Sequence, residues 1–239
     1  MVAAGPRWLV AGLALAVASC AAGAHDEARM SRQREDMVSL LKSRDITDPL
    51  VLDAMARIPR HEFVPAGQLD ESYQDSPVPI GHGQTISQPY IVALMTQLAR
   101  AAPGKKALDV GTGSGYQAAV LAEIVDHVYT IEIICELAEQ ARERLQRLGY
   151  RNVTGRCGDG YAGWPEQAPF DLIVVAAAPR EVPQPLIDQL APGGRLVIPV
   201  GGDHQELLVV AKREDGSPEL IHAGAVRFVP MTGEAERGP

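Results

Sequence analysis

The chain has 239 residues, of which 46% are hydrophobic and 22% charged, with a formal net charge of −8. That length supports one full-sized domain with its own core and a smaller accessory unit, and the composition is ordinary for a globular protein. The acidic balance, the lack of a Lys/Arg cluster and an aromatic content of 5% argue against a phosphate-binding stripe or a base-stacking platform, so no nucleic-acid partner is expected.

The first twenty residues, "MVAAGPRWLVAGLALAVASC", place Arg7 before an apolar run from Trp8 to Ala18, then Ser19 and Cys20. This is the layout of a secretory leader, with a run too short to span a bilayer comfortably. Val17-Ala18-Ser19-Cys20 also resembles a bacterial lipoprotein cleavage box, which would make Cys20 a lipidated residue. Met30 offers a second start in "MSRQREDMVSLL", which would make residues 1–29 an over-long opening. The chain divides into a leader-like segment (1–30), a helical and loop region (31–103) and a strand–helix core (104–235).

Within the second region, Met37, Leu40, Leu41 and Arg44 recur at helical spacing. A second helix opens at Asp48-Pro49, a good N-cap and first-turn pair, carries Leu52, Met55 and Ala56 on its apolar face, and stops at Pro59. Residues 61–86 read as irregular. Ser87 or Gln88 caps a third helix, "YIVALMTQLAR", stopped by Pro103-Gly104.

From Lys105 the rhythm changes. Apolar strands "KALDV", "HVYTIE", "NVTGRCGD" and "FDLIVVAAA" alternate with helices "YQAAVLAEI", "ELAEQARERLQRLG" and "QPLIDQL". "GGRLVIPV" and "ELLVVAK" are further strands, and "AVRFVP" is the last. The expected fold is α/β: a doubly wound, Rossmann-like sheet, mostly parallel, with an antiparallel C-terminal edge hairpin across "REDGSP" and an N-terminal helical subdomain. Cys20, Cys135 and Cys157 have no metal-type spacing, and neither a metal site nor a disulfide is expected of them.

"LDVGTGSGY" sets Gly111, Gly113 and Gly115 at a strand-to-helix turn, where ligands of doubly wound sheets bind. A dinucleotide fingerprint wants glycine at position 116, which is Tyr, and no P-loop lysine follows. A nucleoside without phosphates fits better. Glu132 ends the next strand as a ribose acceptor, and Asp159 ends the third, within reach of an adenine amine. The pattern suits S-adenosyl-L-methionine. Thr85 and Asp109 complete the expected cofactor-binding set.

At this point "YQDSPVPIGHGQTISQPYIVALM", "LDVGTGSGYQAAVLA", "GDGYAGWPEQAPFDLIVVAAAP", "LAPGGRLVIPVG" and "VRFVP" together resemble protein-L-isoaspartate O-methyltransferases, over roughly residues 31–232. The resemblance implies methyl transfer from S-adenosyl-L-methionine to the free carboxylate of isoaspartyl residues in damaged proteins. It matches the family's active-site serine to Ser87, its cofactor loop to Gly111, Gly113 and Gly115, its ribose acid to Glu132 and its adenine-side pair to Asp159-Gly160. Departures are Ala176 in place of a frequent Thr, Ile133-Ile134-Cys135 where a charged residue and a proline are usual, and Asp45 in place of Gly.

The chemistry agrees with that set. A carboxylate nucleophile is already ionised at neutral pH, so no general base is needed. The enzyme must align it and strip its water, and alignment alone can contribute about 7–11 kcal/mol. Ser87 is therefore expected to orient, with Thr85 as a second hydroxyl and Gly81 and Gly83 as hinges of a closing loop. His82 reads as solvated and Trp164 as local packing. The alternatives are a methyltransferase of a small-molecule acceptor, a nicotinamide oxidoreductase (disfavoured by Tyr116) and a non-catalytic cofactor-binding module. Isoaspartyl proteins and peptides are the expected partners and a monomer the expected state. Cofactor supply points to the cytoplasm, and membrane attachment follows only if the leader is processed at Cys20.

Overall fold

The computed structural model describes residues 9–233, with side chains from residue 26 onward. The start of the leader lies outside the described residues, as does the side chain of Cys20. Helix α1 runs from Leu9 to Ser43, so the helix expected at residues 31–44 is the end of a longer one. Among the described residues, no helix is long and apolar enough to cross a membrane.

Met37 and Leu41, one turn apart on α1, are buried against α2 (Pro49–Arg57), whose Val51, Leu52 and Met55 form the facing stripe. The start of α2 is fixed as expected: the Asp48 carboxylate accepts the Leu50 N–H at 2.9 Å, and Pro49 fills a position that needs no donor. Helix α3 (Pro89–Leu98) has its N-cap at Gln88, without a side-chain cap bond, so Ser87 is not the cap. It ends five residues before Pro103, where Arg100 turns the chain at φ 54°.

Residues 61–86 are more ordered than their composition suggests. Short 3-10 turns at Arg60–Phe63 and Ala66–Glu71 lead into an antiparallel hairpin of β1 (Val78–Gly81) and β2 (Gln84–Ile86). Gly81, His82 and Gly83 close it with φ of 93°, 53° and 70°. A Cβ at either glycine would meet open space, so these glycines answer to backbone conformation and not to crowding. The expected flexible loop is a built hairpin.

The main sheet contains β3 (Lys106–Val110), β4 (His127–Glu132), β5 (Val153–Cys157), β6 (Phe170–Val175), β7 (Leu190–Gly201), β8 (Gln205–Lys212) and β9 (Pro218–Val226), in the order β5-β4-β3-β6-β7-β8-β9. The first five pair in parallel, and β8 and β9 add antiparallel at the edge, as the sequence predicts. Helices α4 (Tyr116–Ala122), α5 (Cys135–Arg147) and α6 (Gln184–Asp188) connect the strands. Every side chain of β6 from Leu172 to Val175 is fully buried, which is why that strand reads as a continuous apolar run. On α5, Leu137, Ala141 and Leu145 are the core face, with Leu148 just past its end partly buried.

Two expectations need correcting. "AVRFVP" is not a strand beyond Val226: the chain leaves the sheet, is held by the Gln205 side chain of β8 through both backbone groups of Phe228, and forms an isolated bridge between Pro230 and Ala178. Cys135 and Cys157, of which no disulfide is expected, are exposed and joined by one. Their separation of 22 residues carries no spacing signal, whereas the β4–β5 register brings them together.

Candidate active site

The chain leaves β3 for β4 and β5 on one side and returns to β6 on the other, so the sheet switches direction between β3 and β6. A crevice opens there, outside the carboxyl ends of the strands. Its walls include Thr85 in β2 and Ser87 just after it, Gly111 to Ser114 after β3, Glu132 to Ile134 at the end of β4, and Gly160 after β5. Ala176 and Ala177 after β6 and the stretch from Val229 to Thr232 complete it.

The hairpin sits directly over the glycine turn. A Cβ on Gly113 would lie 3.3 Å from Cδ1 of Ile80, and one on Gly111 would lie 3.5 Å from Cβ of Ala176. All three glycines of the turn have positive φ, between 51° and 91°. Gly115 serves a different purpose: its missing Cβ leaves room for Leu145 and Ala141 of α5, and it does not line the crevice.

Glu132 is the acid at the centre. Its carboxylate accepts the Gly113 N–H at 2.8 Å on one oxygen and the Ile134 N–H at 3.0 Å on the other. Both bonds leave lone pairs free, so the group can still accept from hydroxyls in the crevice. Asp159 caps the turn that presents Gly160 by accepting the Tyr161 N–H at 2.9 Å, while Gly160 itself, and not Asp159, lines the crevice. A Cβ on Gly160 would approach Cγ1 of Val110 to 2.4 Å, so only glycine lets the floor close here.

Asp109 lies on the other side of its strand from Val110 and is outside the crevice. It is fully buried, accepts the Thr130 hydroxyl at 2.9 Å, and Thr130 in turn meets the Thr112 hydroxyl at 2.5 Å. Burial pushes the Asp109 carboxyl up to about 7, and the nearby Glu132 charge adds to the rise. The crevice thus brings together Ser87, Thr85, Gly111, Gly113, Glu132 and Gly160, and leaves Asp109, Gly115 and Asp159 in supporting positions.

Two contributors have no sequence signature. Arg60 is fully buried, donates to the Ser72 carbonyl at 2.7 Å and to the Ser87 carbonyl at 2.8 Å, and stacks 4.6 Å over the ring of Tyr116. It ties the backbone of Ser87 to the residue that follows the glycine turn. The Val229–Thr232 stretch is held by Ala178, which donates to the Val229 carbonyl and accepts from the Met231 N–H, both at 2.8 Å. His82 is exposed at the hairpin tip, and Trp164 packs edge-on to Tyr129 at 5.4 Å under Arg156 at 4.3 Å, away from the crevice.

The lining carries one acid, several hydroxyls and apolar carbon, with no Lys, Arg or His. That donor set fits a nucleoside joined to a cationic sulfonium and offers a pyrophosphate no cationic side chain. It also holds no base–nucleophile pair of the kind hydrolases need.

Comparison with known proteins gives the same picture. A family model described as protein-L-isoaspartate(D-aspartate) O-methyltransferase matches residues 32–236. The chain is 60% identical over 189 residues to protein-L-isoaspartate O-methyltransferase 2 of Polaromonas sp., covering 78% of this chain and 90% of the relative. It is 52% identical over 237 residues to the protein of the same description from Syntrophobacter fumaroxidans, covering 95% and 96%. A Plasmodium falciparum protein described as a protein-L-isoaspartate O-methyltransferase, solved in complex with S-adenosyl-L-homocysteine, superposes with a TM-score of 0.73 at 29% identity. That superposition covers 83% of this chain and 98% of the other.

Proposed function

We infer the working roles of this chain's residues from a premise now in hand: it belongs to the protein-L-isoaspartate(D-aspartate) O-methyltransferase family. It is an enzyme that transfers a methyl group from S-adenosyl-L-methionine to the free carboxylate of L-isoaspartyl residues in proteins and peptides, which initiates their repair.

Residues 104–235 act as the cofactor core and residues 31–103 as the substrate-loop region. Gly111 and Gly113 let the backbone approach the cofactor, Glu132 accepts its ribose hydroxyls, and Gly160 forms the floor beneath its base. When bound, S-adenosyl-L-methionine supplies an electrophilic methyl on a sulfonium. Ser87 and Thr85 offer hydroxyls to the incoming carboxylate and hold it in line, and the apolar wall at Ile86 and Val229 strips its water. No residue needs to remove a proton, because the nucleophile arrives ionised.

The observation that carries this reading is that Ser87 and Glu132 line one crevice, between the hairpin and the switch point of the sheet. The test uses methyl-labelled S-adenosyl-L-methionine and two peptides differing only in isoaspartate or aspartate at one position. Label enters the isoaspartyl peptide alone, as a base-labile ester. Ser87→Ala lowers kcat/KM about 10- to 100-fold, the loss expected for a hydrogen bond to a charged group, with S-adenosyl-L-homocysteine affinity nearly unchanged. Equal labelling of both peptides, or a silent Ser87→Ala, would sink the assignment.

The chain acts as a monomer on isoaspartyl proteins and peptides, in the cytoplasm, where its cofactor is made. One observation favours a second location, attached to a membrane through Cys20: an exposed disulfide is typical of oxidising compartments. Mass spectrometry of the native N-terminus separates the two, since a lipidated Cys20 is found only in the second.

A further inference from the structure

The Cys135–Cys157 bond lies beside the crevice assigned to the cofactor, directly after its lining residue Ile134 and three residues before its lining residue Gly160, and methyl transfer makes no use of it. Cys135 is the first residue of α5, three residues after Glu132. Cys157 is the last residue of β5 and stands opposite Glu132 in the β4–β5 ladder. The bond therefore joins the two walls of the crevice. On one side is the Glu132–Ile134 segment, whose Ile134 N–H binds the Glu132 carboxylate. On the other is the Gly158–Gly160 segment, whose first N–H binds the Glu132 carbonyl at 2.9 Å. The two Cα atoms are 5.0 Å apart, within the span a disulfide bridges. Both cysteines are exposed, so a soluble thiol can reach the sulfurs.

We propose that Cys135 and Cys157 form a thiol–disulfide exchange site that sets cofactor affinity: closed, it holds the ribose wall and the base wall at one spacing, and its reduction by a dithiol weakens cofactor binding. The inference rests on the assignment of this crevice to the cofactor. In the exchange, one thiolate of the dithiol attacks one sulfur and the protein S–S bond breaks. The other cysteine leaves as a thiolate and takes a proton. The second thiol of the reductant then displaces the first cysteine. Two electrons and two protons pass to the protein, and the reductant ends as its own disulfide. In the open state α5 begins without its tether to β5, so the bound nucleoside must itself order the Ile133–Ile134 segment, and affinity falls by that ordering. Linkage is reciprocal: a bound cofactor makes the bond harder to reduce by the same factor. A disulfide that only stabilises the fold would restrict the unfolded chain and leave affinity for the folded protein unchanged.

The test titrates S-adenosyl-L-homocysteine into the full chain, air-oxidised and dithiothreitol-treated, by calorimetry, with the bond state read by alkylation and peptide mapping. The dissociation constant is expected to rise about 5-fold or more on reduction and to return on reoxidation with oxidised glutathione. Cys157→Ser is expected to match the reduced protein in either buffer. Saturating S-adenosyl-L-homocysteine shifts the dithiol concentration needed for half-reduction in the same proportion. Equal affinity in the two bond states overturns the proposal while leaving the crevice assignment intact, and so do unpaired thiols at both positions in the oxidised chain. Absence of binding in both states overturns the crevice assignment and the proposal together.

Discussion

The carboxyl of Asp109 has no solvent and one hydroxyl donor, and burial raises it from 3.8 to about 7. A group whose folded value lies above its unfolded value binds its proton more tightly in the folded state. The protonated form is therefore favoured on folding, and stability falls as pH rises from about 4 to about 7, then levels off. Asp109→Asn keeps an acceptor for Thr130 and removes the titration. Urea unfolding of the wild type is expected to lose a few kcal/mol of stability relative to Asp109→Asn between about pH 4 and about pH 7. Parallel slopes for the two proteins would show that another group carries the effect. Arg60 is the opposite case, a guanidinium that burial pulls below its ordinary value and that cannot shed its charge. Its Nε and one terminal nitrogen are bonded to carbonyls, and Tyr116 lies under its face, while Nη1 has no partner among the described residues. An apolar side chain of its volume would fill the space but leave the Ser72 and Ser87 carbonyls without donors.

The β1–β2 hairpin carries the Thr85 hydroxyl, and its Ile80 side chain lies over Gly113, where an added Cβ would be 3.3 Å from Cδ1 of Ile80. Truncating that side chain should loosen the hairpin without opening the core, because Ile80 is only partly buried. Ile80→Ala is expected to raise the dissociation constant for S-adenosyl-L-homocysteine about 3- to 10-fold and to lower Tm by only a few degrees, checked by calorimetry and a thermal melt. An unchanged affinity would mean that the hairpin does not cover the cofactor. The hairpin is also where the sequence was least legible. Pro79 and three successive residues with positive φ hide two short strands, whereas β3, β4 and β6, buried on both faces, show as apolar runs. Gly111, Gly113 and Glu132 could be read as a site because each stands at a strand end that a parallel sheet must bring together. Asp109 could not be placed from its motif alone, since its side depends on strand alternation one residue from the crevice. The cysteine pair depended on register between two strands, and the Val229–Thr232 wall on long-range bonds to Ala178 and Tyr161, neither of which leaves a local pattern.

At the scale of the whole molecule, the sheet and the crevice are closed by different parts of the chain. The sheet is complete at Val226, the end of β9, while the crevice needs Val229 to Thr232. Deleting residues 228–239 should therefore leave a cooperative unfolding transition, with Tm lowered, and weaken S-adenosyl-L-homocysteine binding at least about 10-fold. Undiminished binding by the truncated chain would show that this stretch is not a working wall. The same arrangement separates integrity from activity: a protease that cuts between Val226 and Val229 is expected to silence the enzyme while leaving the sheet folded.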